Sequence, residues 1–350
     1  MSNKNLLLEK IKLGNASYSD LDNIFLLNLK ELVDFFSFAQ EITRKNFNNT
    51  LKIYNPNKKF PAISITGTEC ALQCEHCDKK YLKGMKEITS VDELYNFLFD
   101  FSKNEGVGVL LSGGCDANGA VPLLNYLDVV KLIKERTNLI INTHTGLLNE
   151  ITAKKLAEAN VDIVSIDINM DEEIMKNIYH LNKDLDEYKR VIKVLKKYNL
   201  NIVPHICVGL HYGITYKELE SIKFVKDSGI NPSLIVLIAL IPPKGSLKFK
   251  KPEPIDIAKV ILIIRFLFPE TEISLGCMRP RKDIREEIEK LAIKAGINRI
   301  ELPSRKTLKW ARNFNPNVNF EFYSACCAIP RKYEKFAKSK SSDIKGYQNL

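Results

Sequence analysis

The sequence predicts an α/β chain. Its core is a full or partial (β/α) barrel of roughly six to eight parallel strands, with an N-terminal helical lead-in and a C-terminal extension. Three observations carry this. Short β-branched runs alternate with helical-period segments from residue 62 to residue 302, the signature of βα units and a parallel sheet. Several runs are continuously apolar, as in Leu234-Ile235-Val236-Leu237-Ile238-Ala239, which is what strands covered on both faces require. No internal repeat or low-complexity linker breaks the succession.

Residues 1–58 read as a helical lead-in packing on the barrel. Ser19-x-x-Asp22 has capping-box spacing, and Phe25, Leu29, Leu32, Phe36 and Ala39 recur at helical spacing. Asn55-Pro56-Asn57 ends that stretch. The barrel domain spans 59–310. Its strands are Ala62–Thr66, Val107–Ser112, Leu139–Thr145, Val161–Ile168, Asn201–Gly209, Leu234–Ile241, Thr271–Leu275 and Arg299–Leu302. Between them, Ser90-x-x-Glu93 and Thr215-x-x-Glu218 are expected to cap helices, and Gly229 to stop one. Residues 311–350 form the extension. It is lysine-rich and irregular, and contains the pair Cys326-Cys327.

At 350 residues with 45% hydrophobic and 27% charged content, the chain can bury a full core. No apolar run approaches the ~20 residues that span a bilayer, and Met1-Ser2-Asn3-Lys4-Asn5 lacks a signal-peptide core. A cytoplasmic protein with no membrane association is expected. In that compartment, clustered cysteines point to metal or catalysis rather than disulfides. The net charge of +10 is carried largely by scattered lysines with no interleaved aromatics, which argues against a nucleic-acid partner. An acidic protein or an anionic cofactor suits it better.

The chemistry is concentrated in Cys70-Ala71-Leu72-Gln73-Cys74-Glu75-His76-Cys77. Its C-x3-C-x2-C spacing falls on the loop leaving the first strand of the barrel domain, hence at the face where such barrels keep their active sites. Three thiolates would hold three irons of a [4Fe–4S] cluster and leave the fourth open. Zinc is the rival, but a structural zinc needs a fourth ligand, and His76 lies between two cysteines. The next strand ends Ser112-Gly113-Gly114, where absent Cβ atoms allow close backbone approach. Period-2 alternation puts Asn142 with His144, Ser165 with Asp167, and His205 with Cys207 on common strand faces. Polar pairs facing inward imply a ligand-filled cavity; the plainer reading is hydrogen-bonded core polars. Isolated cysteines are usually small buried hydrophobes. Cys277 with Cys326 and Cys327 nonetheless forms a candidate auxiliary iron–sulfur site, with Cys207 as fourth ligand.

The cysteine triad followed by Gly113-Gly114 resembles the radical S-adenosylmethionine (SAM) superfamily. The resemblance implies that Cys70, Cys74 and Cys77 ligate the cluster and that the open iron binds the amino and carboxylate groups of SAM, which is then cleaved to a 5′-deoxyadenosyl radical. It further implies that His76 meets the adenine, that Ser112, Gly113 and Gly114 meet the methionine amino group, that Ser165 and Asp167 reach the ribose or carboxylate, and that Val208 and Gly209 pass the adenine. Cys115 departs from the acidic residue many members carry there.

Ile63-Ser64-Ile65-Thr66-Gly67, Gly119-x-Val121-Pro122, Asn142-Thr143-His144-Thr145-Gly146 and Cys277-Met278-Arg279-Pro280 resemble the biotin-synthase-related branch. Within it, the likeness is to the second radical SAM subunit of two-protein lipoyl synthases. That likeness implies sulfur insertion into an octanoyl chain through an auxiliary cluster. The implied partners are a ferredoxin- or flavodoxin-like electron donor, a second radical SAM subunit and an octanoylated carrier protein. A radical SAM reaction of another cofactor-biosynthetic kind, without sulfur insertion, and a non-catalytic iron–sulfur or zinc protein are the alternatives.

Overall fold

The computed structural model describes residues 3–347. Its framework is one sheet of strands β1 (Thr50–Tyr54), β2 (Ala62–Ser64), β3 (Lys86–Glu87), β4 (Gly108–Ser112), β5 (Ile140–His144), β6 (Ile163–Asp167), β7 (Ile202–Val208), β8 (Leu234–Ala239), β9 (Glu272–Leu275), β10 (Arg299–Glu301) and β11 (Asn319–Tyr323). Their spatial order is β11-β1-β10-β9-β8-β7-β6-β5-β4-β2-β3, and every pairing is parallel. The edges β11 and β3 do not pair, so the barrel is partial. No helix among the described residues is long and apolar enough to cross a membrane.

Alternation along each strand sorts two cores. Ile141, Val164, Ile166, Ile206, Val208, Leu237 and Leu275 point outward into the layer shared with the helices. Ile140, Ile163, Val203, Leu234 and Val236 point into the lumen. The lumen floor is closed by the C-terminal segment: Ala325, Cys327, Ala328, Ile329 and Ala337 pack against those inward residues near the N-terminal ends of β5 to β8. A buried charge network pins this segment. Lys52 Nζ contacts Glu272 at 2.6 Å and Glu334 at 2.8 Å, Tyr54 Oη donates to Glu334 at 2.6 Å, and Arg299 pairs with both acids. Two cations face two carboxylates, so buried charge is balanced, the condition under which such a network is tolerated. Burial alone would raise the Glu272 carboxyl, but Arg299 and Lys52 hold it below its usual value.

Each strand expected between residues 62 and 302 is present, several trimmed by one or two residues at an end. Strands β1, β3 and β11 were not expected; β11 draws part of the 311–350 stretch into the sheet beside β1. Two caps differ from expectation. The capping box near the N-terminus belongs to Ser17 and Asp20 rather than Ser19 and Asp22, and the long lead-in helix begins only at Val33, leaving Leu29 partly exposed. Glu218 does not box with Thr215. Its carboxylate accepts from Gly209 N and Tyr216 N, each at 2.7 Å, and so clasps the loop between them.

Candidate functional site

The loop after β2 is built by short-range backbone bonds. Cys77 N and Asp78 N both donate to the Cys74 carbonyl, at 3.0 and 3.1 Å, winding Cys74–Cys77 into one turn. Thr66 then joins this loop to β4: its hydroxyl donates to Glu69 O at 2.9 Å and accepts from Gly114 N at 2.7 Å. Cys115 completes the clasp, with its N–H donating to Cys70 Sγ at 3.2 Å and its carbonyl accepting from Ala71 N at 2.8 Å. From the β6 side, Ile178 O accepts from Glu75 N at 2.9 Å. From the β8 side, Lys80 Nζ donates to Ile241 O at 2.9 Å and Lys248 Nζ to Glu75 at 2.6 Å.

These contacts enclose a cavity of about 310 Å³ at the C-terminal mouth of the barrel, lined by Cys70, Cys74, Cys77, His76 and the run Ser112 to Cys115, with His144 and Asp167 opposite. The volume is at the lower end of the range for small-molecule sites. Burial, and then Cys77 and Cys70, pushes the Cys74 thiol up to about 12. Bare, Cys74 is therefore a neutral thiol, and only bound metal would make a thiolate of it. Among the described residues no trio of His, Cys, Asp or Glu side chains is placed to hold a single metal ion. A tetrahedral zinc needs four ligands within ~2.3 Å of one point, whereas Cys70, Cys74 and Cys77 are three thiols lining one cavity. Three thiols suit a cluster with one open iron better than a four-ligand zinc. The Nδ1 of His76 and the Oδ1 of Asp167 are buried without partners; both residues line the cavity, as polar groups waiting for a ligand would.

The expected cofactor residues separate into two groups. His76, Ser112, Gly113, Gly114 and Asp167 border the cavity. Ser165 lies deeper, with its hydroxyl donating to Asn142 Oδ1 at 2.9 Å. Val208 faces the helix layer, and Gly209 is bound by Glu218, at φ +74° and hard against Pro252. The glycine pair has a physical reason beyond ligand approach, because a Cβ on Gly114 would stand 2.0 Å from Glu69 O. His144 Nδ1 lies 3.9 Å from Asp167, and its ring meets His205 edge-on at 5.1 Å. Burial first, and then His144, depresses His205 to about 4, so it is neutral near pH 7.

The late cysteines converge in part. Cys277, just past β9, is solvent-exposed, with Cys327 among its electrostatic neighbours. Cys326 Sγ accepts from Ala328 N at 3.4 Å, and Cys327 is buried in the lumen floor. Cys207 faces a small pocket with Asp171, His211 and Glu218. Tyr81 is a neighbour common to Cys77, Cys207 and Cys277, and burial raises its phenol, as these thiols also do. Tyr179, buried against His76 at 5.5 Å and accepting from Asn169 Nδ2 at 2.6 Å, joins Tyr81 and Tyr188 on the cavity wall. No local sequence pattern marks these tyrosines. Thr66, by contrast, sits in the run leading to the cysteines and was open to suspicion.

A partial parallel barrel thus carries a three-cysteine loop and a glycine pair on one cavity at its C-terminal mouth. Residues 64–225 match the family model of the radical SAM superfamily. The cofactors of that superfamily are a [4Fe–4S] cluster and SAM, and the donor set of Cys70, Cys74, Cys77 and the Gly113-Gly114 backbone on one cavity fits both. Among curated relatives, the biotin synthase of Buchnera aphidicola subsp. Acyrthosiphon pisum (strain 5A) is 23% identical over 291 residues, covering 80% of either chain. That of Methanococcus vannielii is 29% identical over 282 residues, covering 75% of this chain and 79% of the relative. Among solved structures, methylornithine synthase superposes with a TM-score of 0.62 at 18% identity, over 84% of this chain and 85% of that one. The FeFe-hydrogenase maturase of Carboxydothermus hydrogenoformans gives 0.68 at 13% identity, over 94% and 81%. These likenesses establish the fold.

Proposed function

We propose that the protein inserts sulfur at an unactivated C–H position of an octanoyl chain, in the manner of a lipoyl synthase. The observation that carries the radical chemistry is the joint placement of Cys70, Cys74, Cys77 and the Gly113-Gly114 backbone on one cavity. Held by Cys70, Cys74, Cys77 and the Gly113-Gly114 backbone, a cluster and SAM would supply radical hydrogen abstraction there. The chain's own residues hold the cluster loop through Thr66 and Cys115, present His76 and Asp167 to the cofactor, and exclude water from below with the lumen floor.

Sulfur insertion is supported by the low-identity biotin synthase relatives and by the second thiol pole at Cys277, Cys326 and Cys327, for which Cys207 remains the proposed fourth ligand. On this reading the partners are a ferredoxin- or flavodoxin-like reductant, a second radical SAM subunit and an octanoylated carrier, and the chain works in the cytoplasm. The net charge of +10 favours acidic partners.

Anaerobic incubation with an octanoyl-lysyl peptide, SAM and dithionite is expected to yield sulfur-bearing peptide by mass spectrometry. Iron and sulfide in Cys326→Ala/Cys327→Ala should fall relative to the unaltered protein; unchanged content would remove the second cluster from the proposal. A second reading, a radical SAM reaction without sulfur insertion, is favoured by the burial of Cys327 among apolar floor residues. Octanoyl peptide modified without added sulfur would select it.

A further inference from the structure

Four cysteines, not three, line the cavity at the barrel mouth, and the fourth is Cys115. Its backbone is fixed to the cluster loop at two points, through its N–H on Cys70 Sγ and its carbonyl on Ala71 N. The chain then turns away at once, with Asp116 Oδ1 accepting from Asn118 N and Ala120 N at 2.8 and 3.0 Å. Cys115 is thus held rigidly beside Cys70. Its Sγ makes no hydrogen bond among the described residues, and its principal electrostatic neighbours after burial are Cys70 and Cys74. The unpartnered Nδ1 of His76 points to a ligand space on the same wall.

We propose that Cys115 is a fourth thiol ligand, capping the iron that Cys70, Cys74 and Cys77 leave open until SAM takes its place. The inference rests on the radical SAM reading and goes beyond it. The plain alternative is that Cys115 is a small buried side chain. Against that stands its position, because a rigid thiol beside two cluster ligands lies within reach of the cluster they carry. On capping, the thiol gives its proton to solvent as its sulfur bonds to iron. On displacement by the amino and carboxylate groups of SAM, that bond breaks and the thiolate regains a proton. No electron moves in either direction. Such a cap protects the labile corner while SAM is scarce, and it makes SAM compete for its own site.

The test uses the anaerobically reconstituted full chain and compares the unaltered protein with Cys115→Ala, without SAM. Mild ferricyanide treatment is expected to produce more [3Fe–4S] signal by electron paramagnetic resonance in the variant, whose fourth iron has no thiol cap. Added SAM should narrow that difference. If the capped form dominates by about ten to one, the apparent dissociation constant for SAM falls about tenfold in the variant. Should Cys115→Ala fail to load iron, Cys115→Ser keeps the size and supplies the same comparison.

Equal [3Fe–4S] yield and equal SAM affinity, with the cluster loaded in both proteins, would overturn the cap and leave the radical SAM reading standing. Failure of the unaltered protein to load any [4Fe–4S] cluster would overturn both.

Discussion

Gly114 and Cys70 pack so closely that a Cβ on Gly114 would lie 2.6 Å from the Cys70 Cβ. The glycine therefore shapes the cluster loop itself as well as the ligand space in front of it. Gly114→Ala must push Cys70 away, at a cost of about 1–3 kcal/mol for overpacking, and iron and sulfide bound per chain are expected to fall. Gly84→Ala, in the same loop with nothing within 4 Å of its added methyl, should load like the unaltered protein.

The strap after β8 is latched to the cluster loop by Lys248 and Glu75, 2.6 Å apart, with His180 at 3.7 Å from the same carboxylate. The pair is partly exposed, so its effect on global stability is small. Local opening is another matter, since the latch spans two loops with few other ties. Lys248→Ala is expected to leave the melting temperature nearly unchanged while the reconstituted cluster bleaches several-fold faster in air, followed by its visible absorbance.

Glu334 carries the charge balance of the lumen floor, where Lys52, Arg299 and Tyr54 all contact it. Glu334→Ala leaves buried cations short of a partner, a change that costs about 3–5 kcal/mol. Urea unfolding of the apoprotein should show that loss. Because the floor closes the lumen, limited proteolysis should also cut the C-terminal segment first.

His205 is buried and depressed from 6.5 to about 4. Between those values the unfolded chain binds the proton and the folded chain does not, so stability rises with pH across this window and is lost as pH falls through it. His205→Asn removes the titrating group. The slope of apoprotein stability between about pH 4 and pH 6.5 is expected to flatten in the variant, measured by denaturant titration at several pH values.

The barrel strands were legible because each is a continuous apolar run bounded by helix-period segments, as at Leu234–Ala239. Strand β11 (Asn319–Tyr323) hid because it is short, lies in the lysine-rich extension, and pairs with β1, far back in the chain. Pairing at that separation leaves no local signature. Within the site, Cys70, Cys74, Cys77 and the glycine pair were readable from spacing, and alternation correctly brought His144, Asp167 and His205 together. Strand alternation does not by itself show depth, which is why Ser165 lies below the cavity bonded to Asn142. Tyr179 and Tyr81 reach the cavity from loops whose course only tertiary packing determines. The Thr215-x-x-Glu218 spacing misled because the Glu218 carboxylate serves the loop before the helix, through Gly209 N and Tyr216 N.

The most direct test of the radical chemistry is anaerobic reconstitution with iron and sulfide, followed by dithionite and SAM, with 5′-deoxyadenosine measured by chromatography. The unaltered protein is expected to release 5′-deoxyadenosine, and Cys74→Ala to release none. A fully loaded cluster that leaves SAM intact under reduction, or equal cleavage by Cys74→Ala, would contradict the assignment of Cys70, Cys74 and Cys77 as the cluster-binding triad of a radical SAM enzyme.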